Sequence, residues 1–174
     1  MYKRQVQTSS ANPSDVSARQ VLLTSAQTLS NRFNSISNQL NQQKESINGQ
    51  LSTMSDQVNQ LTASIASLNK QITQVQGSSN SAPANLLDAR NEAVRSLNEL
   101  VGVTASEKNG VFSVSTGTGQ SLVLGDQSNT ISAVPSASDP SQYTIQLNAG
   151  GGTAIDLGNV LSGGSLSLIH ISEP

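Results

Sequence analysis

Residues 46–75 read SINGQLSTMSDQVNQLTASIASLNKQITQV, and the spacing of their apolar side chains decides the fold. Every seventh residue from Ala26 to Val75 is apolar, and a companion row has the same period, with a shift of one residue near Gln43. Two such rows form an a/d heptad seam, the pattern with which helices pack along each other. The seam residues are Leu22, Ala26, Leu29, Phe33, Ile36, Leu40, Ile47, Leu51, Met54, Val58, Leu61, Ile65, Leu68, Ile72 and Val75.

The seam predicts a helix over about residues 15–76, because no proline interrupts the pattern in that range. The change of register near Gln43 alters the winding locally, and Gly49 weakens the helix by about 1 kcal/mol relative to alanine. Two possibilities follow: one long helix with a bend, or two consecutive helices that meet between residues 40 and 51.

A second helix is predicted over about residues 84–101, after the loop GSSNSAP at residues 77–83. Its apolar stripe consists of Leu86, Leu87, Val94, Leu97 and Val101. An exposed apolar seam is unfavourable in water, so we expect this helix to fold back antiparallel onto the end of the first one.

From Gly102 onward the pattern alternates between apolar and polar residues and is broken by KNG at residues 108–110 and GTG at residues 117–119. Glycine permits positive φ in tight turns, so a three-strand meander is predicted. NTISAV, YTIQL and TAIDL are further predicted strands. The expected fold is α+β: an antiparallel, coiled-coil-like helical rod over residues 6–101, then a small antiparallel β-rich domain over residues 102–165.

The composition argues against several classes of protein. The net charge is −2 without a basic stripe, which is not typical of nucleic-acid binding. No apolar run is long enough to span a bilayer, so membrane insertion is not expected. The chain has no cysteine, which excludes thiolate metal sites. GTGQS, residues 117–121, lacks the Lys-Ser/Thr of a phosphate-binding loop and is interpreted as a hairpin turn. No cofactor or metal is therefore expected.

The exterior of the long helix carries few charges. Between Leu22 and Val75 they are Arg32, Lys44, Glu45, Asp56 and Lys70. Free coiled coils usually carry many charges beside the seam, whereas a neutral polar coat suits a helix packed among other subunits, where burying charge is costly. The cluster DARNE, residues 88–92, is either a partner-contact patch or a solvated helix face with local ion pairs, and we favour the solvated face.

Five collinear segments over about residues 6–166 carry a resemblance to a known family. They are NPSDVSARQVLLTSAQTLSNRFNSISNQL, QVNQLTASIASLNKQI, NLLDARNEAVRSLNELVGV, GQSLVLG and ISAVPSASDPS. Together they resemble the flagellar hook-associated protein 1 family, whose members join the hook to the filament of the bacterial flagellum. The terminal helical segments of that family are not recognisable in this chain, so it resembles an internal fragment.

The resemblance implies a structural subunit, located outside the cell in the flagellum and exported through the flagellar secretion apparatus without a cleaved signal peptide. It implies copies of the same protein, the hook protein and the second junction protein as partners, and an export chaperone for the full-length protein. It implies no catalytic residue. The alternative is a coiled-coil segment of a chemoreceptor or a phage tail protein, but chemoreceptor helices usually carry more charge and lack such a meander.

Both ends of the chain, MYKRQ (residues 1–5) and LSLIHISEP (residues 166–174), differ from the family pattern. They read like the two strands of a translated sequencing-library adapter, so we interpret them as artefacts and exclude them from the fold. His170, the only histidine, lies in the second end. Without it the chain has no histidine to serve as a catalytic base, and an enzyme is not expected.

Overall fold

The computed structural model describes residues 16–79, 81, 83–150, 152–158, 161 and 163–167. Two helices are followed by seven short strands: α1 (Val16–Ser79), α2 (Ala84–Leu100), β1 (Val103–Lys108), β2 (Val111–Thr116), β3 (Ser121–Leu124), β4 (Gln127–Ser128), β5 (Thr130–Pro135), β6 (Tyr143–Asn148) and β7 (Ile155–Asp156). The α+β prediction, with a long helix followed by antiparallel sheets, is confirmed. Residues 1–45 and 46–174 form two separate compact units.

Helix α1 is continuous from Val16 to Ser79, so the alternative of two consecutive helices is wrong. Gly49 lies inside the helix, and the Thr53 hydroxyl donates to its carbonyl oxygen at 3.0 Å. The Ser55 hydroxyl donates in the same way to the Leu51 carbonyl at 2.7 Å. Such bonds to the preceding turn satisfy hydroxyl groups within the helix, which is how a Ser- and Thr-rich segment can be buried there.

Helix α2 begins directly after Pro83, whose carbonyl accepts from the N–H groups of Leu86 and Leu87 at 3.1 and 3.2 Å. Arg90, in its first half, bonds Asn69 of α1, whereas Leu100, at its end, lines the same groove as Leu61. Residue numbers therefore rise along α2 as they fall along α1, and the two helices are antiparallel as predicted. Of the predicted stripe, Leu97 and Val101 are buried, and Leu86, Leu87 and Val94 are half-buried.

The first sheet is an antiparallel meander in the order β1-β2-β3-β4, and it has one strand more than the predicted three. Asn109 (φ 52°) and Gly110 (φ 76°) join β1 to β2, and positive φ at both central residues is the requirement of a type I′ turn. Gly119, with φ 90°, turns the chain between β2 and β3, which confirms the hairpin interpretation of GTGQS. Gly125, with φ 60°, permits one further reversal, and this produces the short β4.

The second sheet has the order β5-β6-β7 and is also antiparallel. Strands β5 and β6 pair in register from Thr130–Asn148 to Pro135–Tyr143, and residues 136–142 connect them. Strand β7 pairs with β6 over only two residues, Ile155 and Asp156. Strand β5 is therefore an edge strand whose second side has no neighbour in the sheet.

One apolar core joins α1, α2 and both sheets within residues 46–174, with Ile65, Leu97, Val114, Ile145 and Leu166 among its members. The compact unit thus contains parts of both predicted domains, residues 6–101 and 102–165, and that division stays a prediction. The origin of residues 1–5 and 166–174 in an adapter also stays a prediction. Residues 1–5 and 168–174 lie outside the described residues.

Candidate packing site on helix α1

Three rows of α1 side chains, each with a period of seven, face the rest of the compact unit of residues 46–174. The inner apolar row is Leu51, Val58, Ile65 and Ile72; the outer apolar row is Ile47, Met54, Leu61, Leu68 and Val75; the polar row is Asn48, Ser55, Thr62 and Asn69. Every residue of the inner row is buried, the outer row is half-buried throughout, and three of the four polar-row residues are buried. The covered face is therefore centred between the inner row and the polar row, displaced from the predicted a/d seam.

The middle of the polar row lies in the core without unpaired hydroxyl groups. Ser55 is 2% exposed and Thr62 is 1% exposed. The Ser55 hydroxyl donates to the Leu51 carbonyl, and the Thr62 hydroxyl donates to the Asn59 carbonyl at 3.1 Å. Short side chains whose polar atoms bond their own helix let a neighbouring element approach closely. The polar row therefore widens the buried face of α1, so that a sheet can pack against it.

Asn59 joins α1 to the edge strand β5. Its Nδ2 donates to the Ile131 carbonyl at 2.8 Å, and the Ile131 N–H donates to Asn59 Oδ1 at 2.8 Å. The side-chain amide therefore bonds the backbone of Ile131 in the way that a neighbouring strand would. Ile131 is 3% exposed, so water cannot readily replace these two bonds.

Asn48 makes a similar pair of contacts, with one residue before β6 and with the first residue of β6. Its Nδ2 donates to the Ser141 carbonyl at 2.9 Å, and the Tyr143 N–H donates to Asn48 Oδ1 at 3.0 Å. Asn48 lies 11 residues before Asn59, close to three turns of a helix with 3.6 residues per turn. Both asparagines therefore lie on similar faces of α1, and each holds one strand of the second sheet.

Asn69 joins α1 to the first sheet and to α2. Its Nδ2 donates to the Gly125 carbonyl, in the turn between β3 and β4, at 2.7 Å. Its Oδ1 accepts from Arg90 Nη1 at 3.3 Å. Asn69 is 4% exposed and lies ten residues after Asn59, again about three turns along the helix.

Arg90 connects α2 to the hairpin of β1 and β2. Its Cζ lies 3.8 Å from the centroid of the Phe112 ring, and its Nη2 lies 3.9 Å from Glu107 Oε2. Burial lowers the pKa of the Arg90 guanidinium, and the nearby Glu107 carboxylate acts in the opposite direction. Desolvation of a cation strengthens its attraction to an aromatic ring, so this contact is worth more than an exposed one.

The interpretation of DARNE as a solvated helix face is wrong for Arg90, which is only 8% exposed. It holds for Glu92, whose exposed carboxylate pairs with the exposed Arg95 one turn later. Arg90 differs in burial from Glu92 because it packs on Phe112, which is 22 residues from Arg90 in the sequence. A helical periodicity therefore gives no signal for it.

The predicted seam residues of the other compact unit have a different environment. Leu22 is half-buried, and Ala26 is exposed. The large side chains that follow are exposed, at 45% for Leu29, 64% for Phe33, 52% for Ile36 and 55% for Leu40. We call Leu29, Phe33, Ile36 and Leu40 the exposed apolar row. The heptad pattern is thus the same in both parts of α1, but the seam is covered throughout residues 47–75 and exposed from Ala26 to Leu40.

The described residues offer contacts for packing. Within the described ranges, no group of three His, Cys, Asp or Glu side chains could hold a metal ion. No described helix is long and apolar enough to cross a membrane. His170 lies outside the described residues.

The three asparagines and Arg90 were not identified as site residues from the sequence. The available signal was their spacing, since Asn48, Asn59 and Asn69 recur at nearly three helical turns. Asparagine is usually a surface residue, however, and the backbone groups that these amides bond belong to segments more than 50 residues later.

Comparison with known proteins gives consistent matches. A family model described as the flagellar hook-associated protein FlgK helical domain matches residues 2–169. Flagellar hook-associated protein 1 of Escherichia coli (strain K12) is 35% identical over 142 residues, which is 80% of this chain and 26% of that protein. Its counterpart in Salmonella typhimurium is 34% identical over the same length, with the same shares covered.

A solved structure, that of the flagellar hook junction protein FlgK from Burkholderia pseudomallei, matches with a TM-score of 0.85 and 36% identity. The match covers 97% of this chain and 31% of that one. The chain therefore spans less than a third of the length of the relatives it matches.

Proposed function

Because the chain belongs to the family of flagellar hook-associated protein FlgK helical domains, we propose that it is part of a structural subunit that joins the hook to the filament of the bacterial flagellum. The observation that carries the proposal is the match in fold to a flagellar hook junction protein over 97% of this chain at 36% identity. At 97% coverage, the matched region includes both helices and both sheets.

The described surface supports a structural role. Helix α1 is held to the two sheets by the contacts of Asn48, Asn59, Asn69 and Arg90. These contacts maintain the shape of the chain, as expected for a structural protein. The exposed apolar row, in contrast, leaves four large side chains in water, and adjacent apolar side chains on a surface are typical of protein–protein interfaces. In a subunit of an assembly, other flagellar protein would cover this row.

The proposed partners are copies of the same protein, the hook protein and the second junction protein, and the full-length protein would use an export chaperone. The proposed location is the extracellular flagellum, reached through the flagellar secretion apparatus without a cleaved signal peptide. We propose no catalytic activity for it.

A segment exchange tests the function. The matching segment of the Escherichia coli protein would be replaced by this chain's 142 matching residues and expressed in a strain that lacks its own copy. We expect filaments on the hooks by electron microscopy and swimming in soft agar. Bare hooks, despite secretion of a folded chimera, would contradict the proposal.

Two matched variants separate function from stability. Phe33→Asp alters a side chain that is 64% exposed, so it should leave the thermal stability of the isolated chain unchanged. In the chimera it should reduce filament growth, because the charge would have to be buried under covering protein. Ser35→Asp adds the same charge about 200° around the helix and is expected to be tolerated.

A further inference from the structure

The chain contains two Asn–Gly pairs, Asn48–Gly49 and Asn109–Gly110, and the structure places them in opposite environments. Asparagine before glycine is chemically labile, because glycine has no Cβ to keep its backbone nitrogen away from the preceding side-chain carbonyl. Attack by that nitrogen requires a mobile asparagine side chain and a backbone that can rearrange. Local structure therefore decides which pair reacts.

The first pair is held in place. Asn48 donates to the Ser141 carbonyl at 2.9 Å and accepts from the Tyr143 N–H at 3.0 Å, so both ends of its amide are engaged. Gly49 lies inside α1, where backbone N–H groups belong to the helical hydrogen-bond ladder. Reaction at this pair requires opening of the helix and loss of both side-chain bonds.

The second pair is open to solvent. Asn109 and Gly110 are exposed and form the two central residues of the turn between β1 and β2. A Cβ placed on Gly110 would meet nothing within 4 Å. Among the described residues, none forms a hydrogen bond with the Asn109 side chain. The hydrogen bond of such a turn joins the residues on either side, Lys108 and Val111, which leaves the Gly110 nitrogen outside it.

We propose that Asn109 is a site of spontaneous deamidation in the folded protein. The Gly110 nitrogen loses its proton to solvent base and forms a bond to Asn109 Cγ. The bond from Cγ to the side-chain nitrogen then breaks, and ammonia leaves. Water opens the resulting succinimide at either carbonyl, which gives aspartate or isoaspartate at position 109. The net reaction consumes one water and releases one ammonia.

The product changes the end of the hairpin. A carboxylate appears two residues from Glu107, whose side chain lies 3.9 Å from Arg90. Isoaspartate also adds a backbone carbon to a two-residue turn, and the length of that turn sets the register of Lys108 opposite Val111. The modification would therefore loosen the end of the hairpin while the core of the compact unit is kept.

The experiment compares the two pairs in the same sample, so that it needs no variant to fold. The intact 174-residue chain is incubated at mildly alkaline pH, folded or in concentrated urea, and digested at intervals. Peptide mass spectrometry gives the rate at each pair, and labelling by a protein isoaspartyl methyltransferase identifies the rearranged product. Asn109→Gln is the control, because it should remove the signal at position 109 and leave that at Asn48 unchanged.

In the folded chain we expect Asn109 to react at least about tenfold faster than Asn48, since opening of a packed helix costs more than motion in an exposed turn. In urea the two rates should converge, because both pairs are then unfolded and each asparagine is followed by the same residue, glycine. A ratio below about tenfold in the folded chain, or a tenfold difference that persists in urea, would overturn the proposal. The proposed deamidation of Asn109 does not depend on the proposed flagellar function.

Discussion

Replacement of Asn59 by alanine tests the contact between α1 and the edge strand β5. Two hydrogen bonds of 2.8 Å to the Ile131 backbone are lost, and Ile131 is 3% exposed. Each buried N–H or C=O group without a partner costs about 1–3 kcal/mol, so the two Ile131 groups together cost about 2–6 kcal/mol, and water that enters at the half-buried position of Asn59 relieves part of that cost. Alanine returns roughly 0.5 kcal/mol of helix propensity. We expect Asn59→Ala to lower the free energy of unfolding by about 2–4 kcal/mol.

Asn59→Asp separates the two bonds. The carboxylate keeps the acceptor for the Ile131 N–H but faces the Ile131 carbonyl without a proton to donate, so the folded state favours the protonated acid. The pKa of this aspartate should therefore be raised on folding. The stability that the protonated acid supplies is present below the unfolded pKa of about 3.9 and is lost as the pH rises through the folded pKa. The variant should approach the parent chain at low pH, whereas Asn59→Ala should not.

Urea unfolding followed by circular dichroism, at pH 7 and at lower pH, measures both effects. Asn91→Ala is the matched control, because Asn91 is exposed on α2 and its loss should be neutral or slightly stabilising. Unfolding free energies of Asn59→Ala and Asn91→Ala that agree within about 0.5 kcal/mol would refute the inference that Asn59 stabilises the contact between α1 and β5.

The same unfolding assay checks three further expectations. Ile65→Ala should cost about 3–4 kcal/mol and Leu61→Ala about 1–2 kcal/mol, because the inner row is buried and the outer row is half-buried; equal costs would mean that the two rows are equally covered. Arg90→Lys should lower the free energy of unfolding by about 1–2 kcal/mol, because lysine cannot stack a planar group on the Phe112 ring. This loss should be similar at low and high salt because the site is buried. Gly164→Ala should cost about 3 kcal/mol or more, since a Cβ there would lie 2.5 Å from the Leu100 carbonyl at a φ of +77°; an unchanged urea midpoint would contradict that close approach.

Both helices and every strand except the two-residue β4 could be predicted from the sequence, because those elements depend on local periodicity. The heptad rows predicted α1, and the glycines at positions 110 and 119 marked two of the hairpin turns. The covered face of α1 could not be located, because Ser55 and Thr62 are residue types usually found at the surface. Their burial depends on bonds to their own helix and on the approach of distant strands. The difference in burial between Phe33 and Leu61 could not be predicted either, since one uninterrupted row with a period of seven contains both residues.

Asparagine suits the contacts between α1 and the sheets for a chemical reason. Its side chain carries one carbonyl and one NH₂ group in the arrangement of a peptide unit, so it can satisfy an N–H and a C=O of the same strand without adding charge. A lysine could donate but not accept, and a leucine would leave both backbone groups unpaired in the core. Through Asn59, helix α1 covers part of the open side of β5, where an uncovered edge would otherwise pair with another chain. By satisfying both Ile131 backbone groups within the chain, Asn59 leaves fewer unpaired groups on that edge for strand-to-strand aggregation.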